Sequence, residues 1–192
     1  PRFYLLLPGM LAPPMIGTAF FFHHLNIAEA KHWDASWASA SYMIFGAANI
    51  IAILTAGSLV DRFGASKMVQ IILAPLVLAA ITIGLADNII WVVPYMLFLG
   101  LHSGVSFTST SALWPELYGV ANIGSIKSLY TSLKVLSSAL GPILMGRLLD
   151  LGVTIANVCF LFALYAAAGS IMIVLALRLR WRNTNIPIPP IK

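Results

Sequence analysis

Long apolar runs separated by short polar linkers dominate the chain. Six such runs can be drawn: about Phe3 to Leu25, Trp37 to Val60, Met68 to Ala86, Ile90 to Leu113, Ile123 to Leu149 and Val153 to Leu177. Each is long enough to cross the roughly 30 Å hydrocarbon core as a helix rising about 1.5 Å per residue. Lipid offers no partner to backbone N–H and C=O groups, so a spanning segment must satisfy them internally, as a helix does. The pattern predicts an all-α polytopic membrane protein with a six-helix bundle over residues 1–182. A tail follows over 183–192, where Pro187, Pro189 and Pro190 favour extended chain.

Composition supports the bilayer as solvent. Of 192 residues 60% are hydrophobic and only 9% charged, against about 25% charged in soluble domains. The single cysteine, Cys159, lies in an apolar run and reads as a small buried side chain. Cys–His spacing for a metal is absent, and no cofactor is expected. The basic residues are dispersed rather than clustered among aromatics, which argues against a nucleic-acid partner. They instead divide by side. Arg2, Arg62, Lys67, Lys127, Arg178, Arg180, Arg182 and Lys192 fall on one side of the spans. Lys31 and Arg147 fall on the other, with Glu29, Asp34, Asp87 and Asp150. The positive-inside rule puts both termini in the cytoplasm, of a plasma membrane or a bacterial inner membrane. Trp33, Trp37, Trp91 and Trp181 fit interfacial positions. Pro1 and Arg2 run directly into a span, which reads as a chain cut from something longer.

A weak internal repeat is present. Gly57-Ser58-Leu59-Val60-Asp61 ends the second span and Gly146-Arg147-Leu148-Leu149-Asp150 ends the fifth, on opposite sides. Two three-helix units of inverted topology produce that arrangement.

The loop after the second span continues as Asp61-Arg62-Phe63-Gly64-Ala65-Ser66-Lys67. Gly57 would permit close helix approach, and Gly64 suits a tight turn at positive φ. Asp61 sits at a helix C-terminus, where the dipole disfavours a carboxylate, so it needs a partner. Arg62 could bridge Asp61 and Glu116 as a planar fork. A solvated turn is the simpler alternative. The stretch from Gly57 to Lys67 closely resembles the signature of the major facilitator superfamily, Gly-x-Leu-x-Asp-Arg-x-Gly-Arg-x-x, with Ala65 departing from the usual basic residue. Trp114-Pro115-Glu116-Leu117-Tyr118-Gly119, and Ala139-Leu140-Gly141-Pro142 with Gly146, are similar to stretches before and within helix eleven of that family. The resemblance implies that the spans are helices seven to twelve, the C-terminal half of a secondary transporter. Its partner would be an N-terminal half or a second copy. It also implies that Gly57, Asp61, Arg62, Gly64, Lys67 and Glu116 form a conformational latch.

Ionisable residues inside a bilayer are costly and are candidates for function. His102 lies near the middle of the fourth span, and Lys134 inside the fifth. Tyr130, Lys134, Ser137, Ser138 and Gly141 follow helical spacing and form one polar face. Tyr42, Phe45 and Asn49 share a face of the second span. No Asp or Glu lies inside any span, so Lys134 would pair with a bound anion, a residue of the absent half, or water. Alternatively it snorkels to the membrane surface. His102 reads as a proton relay or as a neutral core residue. Pro8, Pro13 and Pro14, with Gly9 and Gly17, interrupt the first span, as a gate or as a fixed kink. His23 and His24 lie near its outer end, and His32 in a loop.

Within the superfamily, Phe20-Phe21-Phe22-His23 and Ser103-Gly104 are similar to the monocarboxylate and oxalate–formate porter branch. There a helix-eleven lysine meets substrate carboxylate, matching Lys134; the helix-eight arginine is missing here. A small monoanion such as a monocarboxylate is the expected substrate, with proton or ion coupling. The site residues are then Lys134, His102, Asn49, Tyr42, Tyr130 and His23. A six-helix binding subunit of an ATP-driven importer fits the length but has no need of the Gly57–Lys67 loop. An enzyme is not expected: Ser103 and Ser106 beside His102 are neighbours on one helix, without an orienting third group.

Overall fold

The computed structural model describes residues 2–178. Pro1, Arg180, Trp181, Arg182 and the 183–192 tail with Pro187, Pro189, Pro190 and Lys192 lie outside them. Helices account for nearly all of the described chain, and no strand occurs among the described residues. Six helical stretches are long and apolar enough to cross a membrane. The first is α1 (Arg2–Phe22), followed beyond His23 by the short α2 (His24–Ala30). The second combines α3 (Ala35–Ala40) and α4 (Tyr42–Phe63), and the third α5 (Ala65–Ile71) and α6 (Leu73–Leu85). The others are α7 (Val92–Tyr118), α8 (Ile123–Asp150) and α9 (Ile155–Arg178).

The interruptions have local causes. Asp34 caps α3 by accepting from the Trp37 N–H at 2.8 Å. At the α3–α4 seam the Ser41 hydroxyl donates back to the Ala38 carbonyl at 2.6 Å, a bond that competes with the helix ladder. The α5–α6 break at Ile72 precedes Pro75, whose missing N–H leaves the Ile71 carbonyl without its helical partner. Between α2 and α3, His32 takes a left-handed φ of 55°. The Trp33 indole there donates to the Asp87 carbonyl at 3.3 Å, and the Lys31 ammonium to that of Ala86.

Packing follows an arc: α4 on α7, α7 on α6, α6 on α9, α9 on α1 and α1 on α8. Exchanging the first three spans for the last three maps every one of these pairs onto another member of the arc. This is the packing expected of two inverted three-helix repeats. Association of helices in lipid relies on close van der Waals fit, and small residues permit it. A Cβ at Gly104 would meet the Ala52 Cβ and the Asn49 carbonyl oxygen at 2.6 Å each. A Cβ at Gly141 would fall inside the contact radius of the Met15 carbonyl. Gly57 makes no such approach, since a Cβ there meets nothing within 4 Å. The glycines that seat α4 against α7 are Gly100 and Gly104 of the partner helix, which corrects the expectation for Gly57.

At the two ends of the arc, α4 and α8 each pack mainly on one neighbour. Their remaining faces present large apolar side chains, such as Ile50 and Leu54 on α4 and Val135 and Ile143 on α8, all exposed.

Candidate functional site

Two prolines shape the centre of α1. Pro13 and Pro14 have no N–H to offer the Gly9 and Met10 carbonyls, so those acceptors lose their ladder bonds. The Tyr130 hydroxyl of α8 donates to the Met10 carbonyl at 3.3 Å, and the Ser137 hydroxyl to that of Leu11 at 2.9 Å. A matching exchange runs the other way. Pro142 of α8 frees the Ser138 carbonyl, and the Thr18 hydroxyl of α1 lies 2.7 Å from it. The same hydroxyl lies 2.6 Å from the Pro14 carbonyl of its own helix. The His23 Nε2 donates to the Pro142 carbonyl at 3.0 Å. Helices α1 and α8 are thus joined through backbone acceptors, two of which, Met10 and Ser138, their prolines exposed.

Where α1, α7 and α8 converge, a cavity of about 350 Å³ opens. Lys127, Tyr130, Thr131 and Lys134 line it from α8, and Ser103, Ser106, Thr110 and Ser111 from α7. Pro13 and Pro14 form its wall on α1. The lining holds two ammonium groups and a row of hydroxyls, and no carboxylate. Lys134 is exposed to this space and has no ion-pair partner among the described residues.

The other expected site residues have different settings. His102 is 3% exposed, and its Nδ1 donates to the Ile72 carbonyl at 2.6 Å. A carbonyl only accepts, so the Nδ1 carries the proton and the neutral ring keeps an acceptor lone pair on Nε2. This bond ties α7 to the α5–α6 break, and the ring edges a second cavity beside the first. Tyr42 donates to the Phe21 carbonyl at 2.8 Å, near the end of α1. Asn49 is half-buried on α4; its side chain makes no hydrogen bond among the described residues, and it lines neither cavity. His23 is spent on Pro142. The structure therefore brings Lys134 and Tyr130 together, sets His102 next to them, and leaves Asn49, Tyr42 and His23 apart. Of the single polar face expected on α8, Tyr130 and Lys134 line the cavity while Ser137, Ser138 and Gly141 meet α1.

Sequence reasoning missed Lys127, Thr131 and the α7 hydroxyls. A signal was available: Ser103, Ser106 and Thr110 recur at spacings of three and four, one helical stripe.

The loop at Gly57–Lys67 turns at Gly64, whose φ is 84°. Glu116, at the end of α7, reaches the N-terminus of α5. Its carboxylate accepts from the Ala65 N–H at 2.6 Å and the Ser66 N–H at 3.2 Å. A carboxylate on free N–H groups at a helix start is favoured by both hydrogen bonding and the dipole. This corrects the expected bridge from Arg62 to Glu116. The Arg62 guanidinium instead lies over the Phe63 ring, 5.3 Å from its centroid. Asp61, Arg62 and Lys67 are exposed and form no ion pair among the described residues. Glu116→Gln removes the charge from a partly solvated cap and is expected to destabilise the folded chain by about 1 kcal/mol. Thermal unfolding in detergent measures it, and an unchanged midpoint would show that the cap contributes nothing.

A comparison with curated proteins found no match. The family model described as Major Facilitator Superfamily matches residues 5–189, nearly the whole sequence. Six membrane-length apolar helices accompany that match, so the protein is a multi-pass membrane protein. The chain belongs to the Major Facilitator Superfamily and is a transporter of the major facilitator type.

Proposed function

We propose that residues 1–182 are the C-terminal half, helices seven to twelve, of a secondary active transporter. It moves a small organic anion, a monocarboxylate in the simplest case, by alternating access. The observation that carries this reading is the cavity lined by Lys127 and Lys134 with hydroxyls and no carboxylate. A paired set of ammonium groups facing one cavity favours an anionic partner, and the described chain supplies none. The open faces of α4 and α8 support a second six-helix half, or a second copy, packed across the cavity. The basic end of the bundle, with the tail 183–192, faces the cytoplasm of a plasma or bacterial inner membrane. His102 holds its Nδ1–H against Ile72 and keeps the Nε2 lone pair open, so proton coupling runs through that nitrogen or through a carboxylate of the other half. The Glu116 cap and the Gly57–Lys67 loop act as the latch that forms in one state and opens in the other.

Uptake into proteoliposomes tests the anion reading. The protein at its natural length should accumulate labelled propionate saturably, and should exclude the neutral isostere propionamide. Equal entry of the two would sink the reading, because the lysines would then contribute nothing to selection.

A further inference from the structure

A second cavity of about 240 Å³ adjoins the first, between α1, α4 and α7. Its chemistry is opposite. Phe21, Phe22, Phe45 and Leu99 line it, together with Gly17. The few polar groups there are Thr18, His102 and Ser103. The Thr18 hydroxyl has one proton and lies within hydrogen-bond distance of the Pro14 and Ser138 carbonyls. The His102 Nδ1–H donates to the Ile72 carbonyl, which leaves the ring one acceptor, Nε2. No charged side chain lines this space. The two cavities share Pro13, Pro14 and Ser103, so they meet at the proline bend of α1.

From this juxtaposition we infer that the solute is an amphipathic organic anion. Its carboxylate meets Lys134 in the polar lobe, and an aromatic or branched aliphatic body fills the lobe walled by Phe45 and Leu99. The inference rests on the anion reading above and adds the body. A two- or three-carbon acid satisfies only the first lobe and leaves the second filled with water against apolar walls. Solutes with an apolar body displace that water, which is the source of binding in such pockets.

Gly17 gives a clean test. It lines the apolar lobe, and a Cβ there meets nothing within 4 Å. Gly17→Ala should therefore leave folding and the lobe intact, whereas Gly17→Leu should fill the lobe. Uptake of 3-phenylpropionate and of propionate is measured in proteoliposomes for the natural-length protein and both variants, with size-exclusion profiles as the folding check. The unaltered protein is expected to prefer 3-phenylpropionate about tenfold or more in kcat/KM. Gly17→Leu is expected to raise its KM about tenfold or more and to leave propionate within about twofold. Three results overturn the inference. Equal handling of the two acids, unmoved by Gly17→Leu, leaves the anion reading standing and removes the apolar body. Loss of both acids in a folded Gly17→Leu protein means that the lobe is packed against protein and holds no solute. Failure of both acids to enter the unaltered protein removes the anion reading and this inference with it.

Discussion

Lys134→Met is expected to lower kcat/KM for anion uptake about a hundredfold or more. The side chain lines the cavity from α8, with Tyr130 beside it, and has no carboxylate partner among the described residues. Its charge is therefore available to a solute. Methionine keeps the length and apolar stem of lysine, so packing changes little while the ammonium disappears. Removing one member of a desolvated charge pair costs about 2–5 kcal/mol, and about 1.4 kcal/mol is tenfold. Lys134→Arg keeps the charge on a larger, planar head and is expected to fall between the two. Lys127→Met is expected to lose much less, because Lys127 lies seven residues, about 10 Å, closer to the basic end. Water and salt reach that end more readily and screen the charge. Uptake of labelled propionate, with expression and monodispersity matched, measures all three. Undiminished uptake in Lys134→Met, with its pH dependence intact, would remove Lys134 from the solute path.

Gly141→Ala is expected to be the most damaging small substitution in the bundle. Alanine is ordinarily the better helix former, by about 1 kcal/mol over glycine. Here its Cβ would fall within the contact radius of the Met15 carbonyl, which is backbone and cannot rotate away. Helices α1 and α8 would have to separate. The Tyr130 bond to Met10 and the Ser137 bond to Leu11 would lengthen with them. Each abandoned buried acceptor adds its desolvation cost to the steric one. A loss of about 3 kcal/mol or more is expected, at the upper end for overpacking. That corresponds to a fall of roughly 10 °C in the apparent Tm. Gly124→Ala on the same helix is the control, since its Cβ would meet nothing within 4 Å. It is expected to match or slightly exceed the parent. Equal midpoints for the two variants would mean that α1 and α8 are not in close contact at Gly141.

The six spans were legible because lipid imposes one requirement on every outward position over about 20 residues. The Gly57–Lys67 loop was legible because a tight turn needs particular residues in a particular order. Partners across the bundle were not. Tyr130 and Lys134 look alike as polar positions on one helical face and both line the cavity, but only Tyr130 is held by a backbone carbonyl of α1. What separates them is Pro14, more than a hundred residues away, which frees the Met10 acceptor. His102 was hidden by distance alone, since its partner is the carbonyl of Ile72 at a helix break on another span. Backbone acceptors exposed by distant prolines leave no trace in the spacing of side chains. Gly57 and Gly141 show the converse: both are glycines in apolar helices, and only the second lies against a backbone.

The order of the arc also bears on how the chain is made. Span two has its principal partner in span four, and span one has its partners in spans five and six. During synthesis α1 and α4 enter the bilayer before those partners exist. Each must wait there without those partners, with Pro13, Pro14 and the free Gly9 and Met10 carbonyls of α1 still uncovered by α8. The decisive step in assembling the bundle is therefore the arrival of α8. A ribosome stalled between α7 and α8 would leave α4 already seated and α1 still exposed to whatever holds unpaired helices in the membrane.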